Sequence, residues 1–148
     1  MTRLWLLAGL CTGISDMIFA TVLQLVWGRP VARLWQGVAS VPFGPRAMEM
    51  GAAGVALGLL LHFCTAFAWS GVLLLLLQRA PRLRQLHPAL LGATFGPCIW
   101  LVMSLAVIPL FTHNATTVTW RWWVQFAGHM LFVGQPMAWI LLRMNSKT

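Results

Sequence analysis

Apolar residues in this chain run in long blocks, without the alternation of a half-buried strand or the one-sided stripe of a soluble helix. Four blocks reach the roughly 20 residues that a helix needs to cross the hydrocarbon core of a bilayer. They cover residues 4–27, interrupted by Asp16, then 50–77, which carries no formal charge, 89–111 and 122–142. The pattern predicts an all-α polytopic membrane protein, a four-transmembrane-helix bundle forming a single transmembrane domain over residues 1–148.

The connecting segments have their own character. In 29–49, Val31, Leu34, Trp35 and Val38 recur at helical spacing opposite Arg29, Arg33 and Gln36. That pattern predicts a short amphipathic helix lying in the membrane interface between the first two spans, ended by Pro42, Gly44 and Pro45. Residues 79–87 read as a short basic loop. Residues 112–121 read as a polar loop, whose Asn114-Ala115-Thr116 is a glycosylation sequon only in a eukaryotic lumen. The first block follows Arg3 as a signal peptide would, but it stays apolar to Trp27 and shows no small-x-small cleavage site, so it is expected to remain as a span.

Composition strengthens the membrane reading. The chain is 59% hydrophobic and 8% charged, whereas a soluble domain is about 25% charged. Its net charge of +8 could indicate nucleic acid, but the cations stand singly or in one short cluster between apolar runs. They read as topology signals and lipid-headgroup contacts, with no nucleic-acid partner expected. Four spans place both termini on one side with Arg3, Arg79, Arg82, Arg84, Arg143 and Lys147, against Arg29, Arg33, Arg46 and Arg121 on the other. The excess predicts cytoplasmic N and C termini. Cys11, Cys64 and Cys98 have neither disulfide nor zinc spacing and read as small apolar residues.

Packing signals come next. Gly9-x3-Gly13, Gly54-x3-Gly58 and Gly92-x3-Gly96 place small residues where helices in lipid approach closely, and they predict a tight bundle with a possible homo-oligomeric face. Pro97 and Pro136 are expected to kink the third and fourth helices.

Three ionisable residues fall within the spans: Asp16, His62 and His129. Such groups are costly in a membrane and point to function. Asp16 continues the Gly9/Gly13 stripe, and His62 continues the Gly54/Gly58 stripe. Both lie roughly 17–18 Å from the outer ends of their helices, counting by the rise of an α-helix, and are expected to pair. His129 lies nearer the surface, about 10 Å in on the same count. Four readings stay open: polar contacts that specify packing, a proton or ion path, b-type haem ligation by His62 and His129, and a small apolar ligand such as a lipid or quinone beside Pro97 and Trp100. No paired carboxylates, His-x3-His, nucleophile elbow or phosphate loop are present, so no catalytic residue, metal or resident cofactor is expected, and a structural, accessory or stress-related role leads. His87 and His113 fall in loops and are expected to be solvated.

Several short motifs resemble the YagU-like bacterial inner-membrane proteins. They are Ser104 followed by Pro109-Leu110, Phe126-x-Gly128-His129, His62 with Phe63, Ala66, Phe67 and Ala68, and Gly9-x3-Gly13. The resemblance implies a bacterial inner membrane and makes His62 and His129 family features. It brings no assigned activity, and Asp16 departs from the family pattern.

Overall fold

The computed structural model describes residues 2–143, and Lys147 of the topology argument lies outside them. Among the described residues every regular element is helical and no strand occurs. Helix α1 (Thr2–Val26) leads through a turn at Gly28 into α2 (Val31–Phe43). Helix α3 (Gly51–Arg79) follows a 3-10 turn, Pro45–Glu49. After a second 3-10 turn, Pro81–Gln85, come α4 (Pro88–Thr112) and α5, residues 120–143.

Three helices, α1, α3 and α4, are long and apolar enough to cross a membrane. Helix α5 is of similar length but carries Arg121, Gln125, His129 and Gln135 along its course. Its composition is correspondingly less apolar.

Local chemistry explains the ends. Gly28 adopts a φ of 64°, a left-handed turn that residues with a Cβ rarely take, and it reverses the chain after α1. At the start of α4, Pro88 occupies the first turn, where its missing N–H costs nothing. The His87 ring accepts a hydrogen bond from Ala89 N at 3.2 Å, so this exposed loop histidine is a helix cap. His113 sits at the C-terminus of α4 with φ 56°.

Two of the helices are locally widened to the π pattern, α4 at Met103–Val107 and α5 at His129–Gly134. Each widening precedes a proline, Pro109 or Pro136, that cannot donate to the carbonyl four residues back. The α-helical hydrogen-bond pattern runs on past Pro97 to Val102. The irregularity in α4 instead falls before Pro109.

The packed core lies where α1, α3, α4 and α5 meet near the chain termini. It is built from Ala8, Leu73, Leu77, Leu91, Met137 and Leu141 with their neighbours. Helices α4 and α5 approach closely, backbone to backbone. A Cβ on Gly92 would stand 2.8 Å from the Gly134 carbonyl carbon, and one on Gly96 would stand 2.7 Å from that of His129. In α1, the Phe67 and Phe63 rings press against Gly9 and Gly13. Gly54 and Gly58 serve a different neighbour from another span. They receive α2 and the 3-10 turn after it, and a Cβ on Gly58 would come within 2.6 Å of the Trp35 carbonyl carbon.

Helix α2 is thus packed on the first half of α3. Its expected apolar face turns toward the bundle, while Gln36, expected on the polar face, is buried and donates to the Gly51 carbonyl at 3.1 Å. Cys64 and Cys98 are exposed on the outside of the helices, and all three cysteines are free.

Candidate ligand cavity in the bundle

The glycine stripe of α1 brings α3 close enough for one imidazole to bridge to it. His62 Nε2 lies 3.0 Å from the Gly13 carbonyl, and His62 Nδ1 lies 3.9 Å from Asp16 Oδ2. A carbonyl only accepts, so this geometry assigns the hydrogen to Nε2. A neutral ring would then aim the Nδ1 lone pair at the Asp16 carboxyl. Attraction therefore requires one further proton, carried by the carboxyl or by Nδ1. Both side chains are mostly buried, at 13% and 18% exposure for His62 and Asp16.

Trp35 closes this pair from the α2 side. Its ring meets the His62 ring edge-on at 5.3 Å, positioned by the seat of its backbone over Gly58. The apolar period of α2 signalled a buried face, yet it did not say that the face would cover His62.

His129 approaches from α5. Its Nδ1 lies 2.8 Å from the Gln125 carbonyl one turn earlier, which makes Nδ1 the donor and leaves Nε2 as an acceptor without a protein partner among the described residues. The ring packs on Trp100 with centroids 4.8 Å apart. Helix α5 starts at Trp120, two residues before the expected boundary, which places His129 about 3 Å deeper than the sequence count. Around it, Trp122 Nε1 donates to Ser104 Oγ at 3.1 Å, Ser104 Oγ donates to the Trp100 carbonyl at 2.6 Å, and Thr116 bonds the Ser104 carbonyl. This chain of bonds fastens the 113–119 loop and the start of α5 to the widened turn of α4.

Asp16, His62 and His129 all border one cavity of about 400 Å³ between α1, α3, α4 and α5, with α2 as its roof. Its wall is mainly apolar: Leu34, Val38, Leu61, Met103, Val133 and Met137 are representative. Both π-widened turns contribute, through Met103 and Val107 and through His129 and Val133. The polar wall consists of Thr12, Asp16, His62, Thr65, Gln125 and His129. Trp100 lines the cavity, and Pro97 is buried elsewhere in α4. The buried Thr12 hydroxyl and the Trp100 indole N–H have no hydrogen-bond partner among the described residues.

Sequence reasoning singled out Asp16, His62, His129 and Trp100, and the structure brings all four to this cavity. It missed Gln125, Thr65 and Trp35. Gln125 had a legible signal, since it lies four residues before His129 and therefore on the same face of a helix.

Axial haem ligation by His62 would require its Nε2 to leave the Gly13 carbonyl or its Nδ1 to turn from Asp16. Of these two histidines, His129 alone presents an uncommitted nitrogen among the described residues. Among the described residues no group of three His, Cys, Asp or Glu side chains is arranged to hold a metal ion. His87 and His113 stand away from the cavity. No family model, curated protein or solved structure matches the chain.

Proposed function

We propose that the chain is a four-span membrane protein whose central cavity holds a small, largely apolar molecule taken from the bilayer. The cavity carries this reading. Its volume of about 400 Å³ falls in the range of small-molecule sites, roughly 300–1,000 Å³, and its few polar groups converge within apolar walls as such sites require.

Helix α5 serves as the fourth span. Residues 120–143 reach about 36 Å as a helix, more than the hydrocarbon core demands. Its polar side chains are spent inside the protein: Gln125 and His129 line the cavity, and Gln135 donates to the Ala89 carbonyl at 3.0 Å. Helix α2 lies at the outer interface and roofs the cavity. Arg3, Arg79, Arg82 and Arg84 then mark the cytoplasmic side, with both termini there. The resemblance to the YagU-like proteins supports a bacterial inner membrane. The Asp16–His62 pair presents a compact polar wall, while His129 Nε2 offers a free imidazole acceptor to a hydroxyl on the ligand.

The test is ligand-dependent stability in a nonionic detergent. A neutral alkyl alcohol at a hundredfold excess over its Kd is expected to stabilise the protein by about 2.7 kcal/mol. Thr65→Trp fills the cavity and removes that gain. Leu60→Trp, at a position 60% exposed on the outer face of α3, keeps it. Equal stabilisation of both variants would place the alcohol on the lipid-facing surface and refute the reading.

A further inference from the structure

A second, more polar compartment adjoins the first. It is bordered by Trp27, Arg29, Thr117, Thr119, Trp120 and Arg121, and it shares Trp100 and Gln125 with the apolar cavity. Those two residues are the boundary at which the compartments meet. No carboxylate lines the outer compartment, and neither arginine has an ion-pair partner among the described residues. The Arg121 guanidinium stacks 5.2 Å from the centre of the Trp27 ring and 5.4 Å from that of Trp120, and the two indoles meet edge-on at 5.7 Å. The aromatic pair positions the guanidinium, yet its charge is balanced by no protein anion.

The order of residues along α5 joins these observations. Arg121, Gln125, His129, Val133 and Met137 follow one another at intervals of four, and each lines one or both compartments. Successive members at this spacing lie one turn apart, and since each lines a compartment the stripe descends from a cation through an amide and an imidazole to two apolar side chains. By helical rise it is about 24 Å long. A purely apolar ligand would have no use for its outer end, and a free anion would have none for its inner end.

From this stripe we infer that the ligand is an anionic amphiphile, with its head between Arg29 and Arg121 and its alkyl chain in the cavity beyond Gln125. The inference rests on the cavity reading above and adds the chemistry of the head. The arginines supply charge-assisted hydrogen bonds to a carboxylate or phosphate oxygen. The wall from Val133 to Met137 supplies dispersion contacts to the chain.

Equilibrium binding of radiolabelled oleate and oleyl alcohol to the detergent-purified protein tests this, because the probes differ in head charge on the same chain. Oleate is expected to bind at least about tenfold more tightly than the alcohol, the scale of one charged contact. Arg121→Gln should bring the preference to about twofold or less, and Arg29→Gln, at an exposed position, should move it the same way. Thr65→Trp should weaken both probes. Butyrate, which has the head without the long chain, should fail to displace oleate. Equal wild-type affinities, or an unchanged preference in Arg121→Gln and Arg29→Gln, would overturn the anionic head while leaving the cavity reading in place. Effective competition by butyrate would show a headgroup site unconnected to the cavity and would also overturn the proposal. If neither long-chain probe binds, the cavity reading falls with it.

Discussion

Gly134→Ala is expected to destabilise the bundle by about 3 kcal/mol or more, at the upper end of what overpacking costs. The reason lies in what the added methyl would meet. A Cβ at position 134 would run into the Gly92 carbonyl and come within 2.9 Å of Gly96 N. These are backbone atoms of a packed helix, and relieving the overlap means moving α4 away from α5. In lipid that separation is severe, since helices there are held by close packing rather than by exclusion of water. Gly9→Ala meets the Phe67 ring, a side chain that can turn aside, and should cost less. Gly37→Ala meets nothing within 4 Å and should be neutral or mildly stabilising through its better helix propensity. Unfolding by a titration of denaturing into mild detergent ranks the three; a Gly134→Ala protein as stable as Gly37→Ala would show that α4 and α5 do not approach as described.

The second large effect concerns the Asp16–His62 pair. His62→Leu removes the partner of Asp16 and leaves a mostly buried carboxyl facing an apolar side chain. Breaking one side of a buried pair typically costs about 3 kcal/mol or more, because the remaining group has lost its compensation. The double variant Asp16→Leu/His62→Leu removes both polar groups and should recover most of that loss. Asp16→Asn keeps the shape and a hydrogen-bonding atom, and it should fall between the single leucine variant and the wild type. The same denaturation assay supplies the numbers. Losses in His62→Leu and Asp16→Leu that simply add in the double variant, with no recovery, would mean that the 3.9 Å contact carries no energetic coupling.

The legible part of this protein was the part set by local spacing. The apolar blocks marked α1, α3 and α4, and the glycine stripes placed Asp16 and His62 on bundle-facing sides at similar depth. The partners of those stripes were another matter. Gly54 and Gly58 have the same spacing as Gly92 and Gly96, but they seat α2 while the latter pair seats α5. A motif of small residues states that something approaches closely without naming it. Helix α2 shows a similar ambiguity. An amphipathic period is common to a helix whose apolar face meets lipid and to one whose apolar face roofs a cavity. The buried Gln36 is the residue that departs from that pattern.

The widened turns were hidden for a different reason. A proline within a membrane helix requires some accommodation of the carbonyl it cannot serve. Whether that becomes a kink or a π turn depends on neighbouring packing. Here the α-helical hydrogen-bond pattern persists past Pro97, and widening precedes Pro109 and Pro136. The cavity itself, assembled from five helices, had no signature in any one segment.

The account turns on occupancy of that cavity, and photolabelling tests it most directly. The probe is a long-chain alkyl compound with a diazirine at its far end, applied to the protein in a lipid bilayer and mapped by peptide mass spectrometry. Adducts are expected on Met103, Val133 and Met137, the deep wall of the cavity. They should be lost on competition with unlabelled oleate and in Thr65→Trp. Adducts confined to Leu60, Leu75 and Leu131, which face outward at 60%, 55% and 62% exposure, would contradict the account.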